Sequence, residues 1–317
     1  MNTRKSLYIV LISIGAVLSG LWIVHKFYSN INYSYFIIAL LVYSMVLGLR
    51  SFKMNKMINV YTPAKYKDTV TLTASSQLMG AFIPGRAGEI LISAYLKLKH
   101  AVDISKVLPL LFLDKIIELL CVLLYSAVSI LFFSKDLLTY FSGLFNGNEG
   151  SGRQYWYIAA VLVLIIVLFL LKRFMGPKLA SIVNNIKQSL LIPFKQPVLG
   201  LTIVVVSLFT MILEYSYLYF IFHAFNIGIS LPQVIIVHSF GMIIGVISMI
   251  PGGQGSTEIS MIAILHLWGF TTINVLTPIL ASKLFTYFIL ILYALPLLPY
   301  SITIIRNRKL TSKAGEE

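Results

Sequence analysis

"AFIPGRAGEI", residues 81–90, sets Pro84, Gly85, Arg86, Gly88 and Glu89 inside one of the most apolar stretches of the chain. Proline removes a helical hydrogen bond, glycine weakens helices, and an arginine or glutamate is costly in hydrocarbon. A second stretch, "MIPGGQGSTEIS", residues 249–260, repeats the interruption. Whether these two segments cross a membrane or turn back inside it decides the fold.

The chain has 317 residues, 58% of them hydrophobic and 11% charged, with a mean hydropathy of +0.88. Soluble domains carry roughly 25% charged residues, so the composition defines an integral membrane protein. The single cysteine, Cys121, lies in an apolar run; this excludes a disulfide framework and suits a small packed hydrophobe. The net charge of +14 sits in short blocks between apolar runs. Positive-inside topology and anionic lipid headgroups account for such blocks better than nucleic acid does.

Six segments have the length of full crossings, about 20 mostly apolar residues each: 7–24, 33–49, 107–133, 155–171, 198–222 and 273–305. The first continues through "LWIV" without a small-residue cleavage site and is expected to be a retained span rather than a signal peptide. Arg4 and Lys5 begin the chain. Arg50, Lys53, Lys56, Lys65 and Lys67 follow the second segment, Lys97, Lys99 and Lys106 precede the third, and Lys172, Arg173, Lys178, Lys187 and Lys195 follow the fourth. Arg306, Arg308, Lys309 and Lys313 end the chain, whereas the alternate loops hold only Lys26, Lys135 and Arg153. The bias places both termini in the cytoplasm.

That parity holds only if neither Pro-Gly segment crosses. Residues 69–83, the turn and "ILISAYLKLK" have basic flanks and read as a hairpin entering from the cytoplasm. Residues 234–250, "PGGQGSTE" and "ISMIAILHLW" lie between the uncharged "AFNIGISLP" and "GFTTIN" and read as one entering from outside. Irregular backbone at this depth needs protein or a water-filled cavity around it. The expected fold is therefore all-α and polytopic, with six full spans, two re-entrant broken hairpins and an inverted-topology repeat. Residues 1–133 form the first half, 134–154 an extracytoplasmic loop, 155–305 the inverted second half and 306–317 a cytoplasmic tail. Residues 175–194, "MGPKLASIVNNIKQSLLIPF", read as an amphipathic helix on the cytoplasmic leaflet.

The turns have the chemistry of an anion site. A half-helix leaving a turn presents free N–H groups and the positive end of its dipole. Arg86 adds a planar fork suited to phosphate, with Gly85 and Gly88 beside it. In the second turn Gly252, Gly253 and Gly255 expose backbone, and Ser256 and Thr257 offer hydroxyls. Glu89 and Glu258 each start an outgoing helix. They either complement the helix N-terminus or a neighbouring cation, or serve in proton coupling or recognition of a cationic headgroup. Arg86, three residues away, favours the structural reading for Glu89; for Glu258 no basic neighbour is visible and the two readings stand level. Asp114, Lys115, Glu118, Glu214 and Lys283 are further intramembrane ionisable residues, expected to face the interior and find partners; structural pairing with the opposite half stands level with a part in charge tuning, coupling or headgroup binding. Asp114 and Glu118 are four apart on one helix face. His238 and His266 have no clustering of Cys or carboxylates and make a poor metal site. No catalytic constellation, metal site or cofactor is expected.

"FIPGRAGE", "DKIIE" and "PGGQGSTE", in that order and separation, resemble the lysylphosphatidylglycerol synthase transmembrane, or flippase-like, family. Lys283 in "ASKLFTYF" occupies the place of a basic residue, usually arginine, in that family's final span. The resemblance implies a bacterial or archaeal protein of the cytoplasmic membrane that handles a phosphate-headgroup lipid, either phosphatidylglycerol-derived or polyprenyl-phosphate-linked. In the multiple peptide resistance factors such a region moves aminoacylated phosphatidylglycerol between leaflets, beside a soluble aminoacyltransferase domain. With no such domain between the last span and Glu317, synthesis of that lipid by this chain alone is not expected. The function expected is lipid flipping or transport, with a lipid-modifying enzyme as a possible partner. The rival readings are a membrane-embedded transferase acting on a lipid phosphate, and an accessory subunit of such an enzyme.

Overall fold

The computed structural model describes residues 31–82, 88–132, 195–248 and 250–294. Among these every regular element is a helix: α1 Tyr33–Ile58, α2 Tyr66–Gly80, α3 Ile90–His100, α4 Ile104–Phe132, α5 Pro197–Ala224, α6 Leu231–Ile247, α7 Ser256–Leu267 and α8 Thr272–Ala294. The expected crossings 7–24 and 155–171, the surface helix 175–194 and the end of the last span lie outside the described residues.

Length sorts the helices. At about 1.5 Å per residue, α1 with 26 residues and α5 with 28 exceed a hydrocarbon core of about 30 Å. Both, together with Asn274–Ala294 in α8, are long and apolar enough to cross a membrane. The helices beside the Pro-Gly turns are short: 15 and 11 residues in α2 and α3, 17 and 12 in α6 and α7. None of the four reaches about 30 Å alone.

The second expected crossing stops at residue 49, because Arg50, Lys53 and Lys56 look like a basic flank. The structure corrects this: α1 runs on to Ile58. Its last turns carry Arg50 and Lys53 into the interior, where carboxylates from other helices receive them. Met54, Met57 and Ile58 pack there against Leu72, Ile92 and Leu110.

The core is built on α1 and α5, which run antiparallel. Asn32 N–H donates to the Ala224 carbonyl at 2.8 Å, the Tyr43 and Tyr217 rings lie 5.0 Å apart, and Lys53 reaches Ser207 at the far end. Around this pair α2 packs on α8 and α6 packs on α4. Tyr217 OH donates to the Ser282 carbonyl at 2.6 Å, fixing α8 to α5, and Tyr125 OH does the same from α4 to the Leu208 carbonyl at 3.0 Å.

Candidate functional site

The end of α2 and the second Pro-Gly turn meet, with Gly252 buried at the contact. Gly252 has φ of +62°, and a Cβ there would stand 2.7 Å from the Ala81 carbonyl oxygen and 2.8 Å from its Cα. Only glycine fits both the left-handed backbone and the approach. Gly88 is tighter still: a Cβ would meet the Ser76 carbonyl oxygen at 1.9 Å, so the start of α3 is pressed against the backbone of α2. Gly85 and Arg86 lie outside the described residues.

The second turn satisfies many of its polar groups within itself. Gly253 N–H donates to the Ile250 carbonyl at 2.8 Å and Gln254 N–H to that of Pro251 at 3.2 Å. Ser256 Oγ donates to the Gly253 carbonyl at 3.1 Å and shares a hydrogen bond with Ser248 Oγ at 2.9 Å. Thr257 is buried. Glu258 Oε2 accepts the Gly255 N–H at 2.7 Å, one half of a capping box, while its Oε1 lies 2.5 Å from Lys283 Nζ. Gln254 also reaches Tyr287 OH on α8. The basic partner of Glu258, invisible in the local sequence, thus comes from the next helix.

The first turn has a matching pair. Glu89 Oε1 lies 2.9 Å from Lys115 Nζ on α4, the helix that follows its hairpin. Lys115 also meets Glu118 Oε2 at 2.9 Å. Behind it, Lys53 Nζ sits between Asp114 Oδ1 at 2.7 Å and Glu118 Oε1 at 2.9 Å, and donates to Ser207 Oγ at 3.0 Å. Lys53 is 1% exposed, so its charge depends on these neighbours. A cavity of about 30 Å³ lies among Arg50, Lys53, Glu89, Asp114, Lys115 and Glu118, close to one water's share of liquid volume. The buried Thr73 hydroxyl lines it without a hydrogen-bond partner.

A third charged group links α1 to α5. Arg50 Nη2 meets Glu214 Oε2 at 2.6 Å and its Nη1 donates to Gln77 Oε1 at 3.3 Å. His238 Nε2 stands 3.9 Å from Glu214 Oε1. Among the described residues no group of histidines, cysteines and carboxylates could hold a metal ion.

The structure thus brings Glu89, Asp114, Lys115 and Glu118 into one cluster and Glu258 with Lys283 into a second. Of the two readings that stand level for the interior charges, pairing across the expected halves holds for Glu214 alone; Asp114, Lys115, Glu118 and Lys283 form ion pairs within their own expected half. The reason is local: each span follows its hairpin directly and packs against the outgoing half-helix. Sequence reasoning misses Arg50 and Lys53. The signal was present, since they are three apart on a helix face and the apolar pattern resumes at Met54, Met57 and Ile58.

Apolar helices of spanning length, short helices on either side of the two Pro-Gly sequences, and interior charges satisfied by other helices define a multi-pass membrane protein with a buried polar centre. The chain belongs to the family described as the lysylphosphatidylglycerol synthase TM region, whose model matches residues 7–294. It is also 36% identical over 67 residues to a UPF0104 membrane protein of Methanothermobacter thermautotrophicus, a match covering 21% of this chain and 20% of that relative.

Proposed function

We propose that this chain moves a phosphate-headgroup lipid, phosphatidylglycerol-derived or polyprenyl-phosphate-linked, between the leaflets of the cytoplasmic membrane, with both termini in the cytoplasm. The observation that carries the reading is the twinning of the turns. In each half a glutamate at the start of the outgoing half-helix is held by a lysine from the next helix, Glu89 by Lys115 and Glu258 by Lys283. The tips touch at Ala81 and Gly252. The reciprocal packing of α2 on α8 and α6 on α4, around antiparallel α1 and α5, supports an inverted repeat of six crossings and two re-entrant hairpins.

In this reading the carboxylates stand in for lipid phosphate. Glu258 occupies two donors that suit a phosphate oxygen, the Gly255 N–H and Lys283 Nζ. An arriving headgroup competes for them, and the carboxylate reclaims them on release. In the first half Glu89 occupies Lys115 without a backbone N–H of its own helix start, with Arg86 and Gly85 as further phosphate contacts. The interior cavity is small, so the tips separate to admit a headgroup while the acyl chains stay in lipid. No catalysis is assigned.

The test is exchange of headgroup-labelled phosphatidylglycerol or polyprenyl phosphate in vesicles holding the purified full chain. Exchange should exceed that of empty vesicles, and Glu89→Gln and Glu258→Gln should each slow it. The double variant should lose less than the product of the single effects, because residues serving one site couple. Exchange equal to empty vesicles with both lipids would refute the reading. Formation of a new headgroup product would favour the transferase instead.

A further inference from the structure

A second, larger cavity lies apart from the charged centre, between the end of α1, the start of α2 and the end of α3. Its volume is about 370 Å³, within the roughly 300–1,000 Å³ typical of ligand sites. The floor is apolar, made of Ile58, Leu72 and Leu96. The rim carries Lys65, Lys99, His100, Tyr95 and Asp68.

The rim is built rather than loose. Asn59 Oδ1 accepts the Ala64 N–H at 2.7 Å, and Asn55 Nδ2 donates to the Ala64 carbonyl at 2.9 Å and Thr69 Oγ1 at 3.0 Å. These bonds fix the loop that carries Lys65. Thr62 Oγ1 and His100 Nδ1 lie 3.2 Å apart and tie that loop to the end of α3. Lys99 donates to Tyr95 OH at 2.7 Å and lies 5.2 Å above that ring. Its carboxylate neighbour, Asp68, is 4.0 Å away and exposed, so screening leaves that pair weak.

We propose that this cavity is an anion site that receives the phosphate of a lipid on the side marked by the basic segments, before the lipid reaches the hairpin tips. Its place in transport rests on the function proposed above. Lys65 and Lys99 supply the charge, and the floor takes the apolar part next to the headgroup. A free phosphate would use the rim alone; a lipid uses rim and floor. Asp68 competes with the ligand for Lys99. The corresponding end of the second hairpin has no such rim. Residues 225–233 and 267–274 contain no lysine or arginine, and α6 begins in a neutral Ser230–Gln233 capping box. Capture is therefore one-sided, and the opposite end releases.

The experiment is native mass spectrometry of the full chain in detergent, titrated with dioleoyl phosphatidic acid or with inorganic phosphate. Lys65 and Lys99 are exposed, so Lys65→Gln with Lys99→Gln leaves the fold in place. That variant should bind phosphatidic acid about tenfold more weakly, the scale of one lost charge-assisted hydrogen bond. The arginine pair should retain binding, and Asp68→Asn should tighten it. Equal affinity in wild type and the glutamine pair overturns the site. Inorganic phosphate binding as tightly as the lipid overturns the lipid assignment. If wild type fails to exchange lipid in vesicles while the lysine-dependent binding persists, the transport reading falls and the site stands.

Discussion

Lys53 holds its ammonium between Asp114 and Glu118, with Ser207 as a third partner. Removing it leaves two carboxylates facing each other in the interior, and breaking a buried pair costs about 3–5 kcal/mol. Lys53→Met should therefore lower the thermal unfolding midpoint in detergent sharply. Lys53→Met combined with Asp114→Leu and Glu118→Met should recover much of the loss, since apolar replacement of buried charges together is often neutral and Lys115, which loses Glu118, keeps Glu89. A triple variant no more stable than the single would show that the cluster contributes net stability. At this scale the sequence was half legible. Asp114, Lys115, Glu118, Glu214 and Lys283 are visible as charges inside apolar runs. Arg50 and Lys53 are marked only by the apolar pattern that resumes beyond them, because a lysine at the end of a span looks the same whether it reaches out to water or in to a carboxylate.

The broken helices were legible as elements because proline and glycine leave a signature that apolar sequence otherwise lacks. What each glycine does was not, because it depends on a neighbour distant in sequence. Gly88 faces the α2 backbone and Gly252 faces Ala81, whereas Gly255 has φ of +82° with nothing near its Cβ position. A left-handed backbone alone costs a non-glycine residue about 1–2 kcal/mol. Gly255, with ψ of −52°, lies outside the left-handed helical well, so Gly255→Ala should cost at least about that much, while Gly88→Ala and Gly252→Ala must in addition displace backbone. Gly228 has φ outside the left-handed range and open space around it, so Gly228→Ala serves as the control. Thermal unfolding of the four purified variants ranks them, and a Gly252→Ala variant as stable as Gly228→Ala would deny the contact between the tips.

For the whole molecule, charge and hydropathy suffice for a helical membrane protein, and the match over residues 7–294 agrees. Orientation rests on the lysine blocks alone and invites a direct test. The chain has one cysteine, and it is buried, so introduced thiols can be read against a quiet background. Cysteines at Lys67 and Thr272, both exposed, should label from opposite sides of intact cells, Thr272 with an impermeant reagent from outside. Labelling of both from outside would remove the parity on which the re-entrant hairpins depend. Which helices receive α1 was beyond the sequence, since the apolar pattern after Lys53 marks it as inward but does not say that its partners stand on α4 and α5.

The long reach of Lys53 has a consequence for synthesis. Glu118 lies 65 positions later in the chain, so α1 leaves the ribosome well before its counter-charges exist. A nascent chain ending before α4 should hold only residues 33–49 in the bilayer, with Arg50 and Lys53 among the headgroups. Emergence of α4 then draws Lys53 inward, Arg50 follows once Glu214 arrives on α5, and the helix lengthens into the membrane after it has already been inserted. The same thiol labelling, with cysteine at Ser51, should mark this late retraction: reactive in truncated chains, protected once Glu118 is in place.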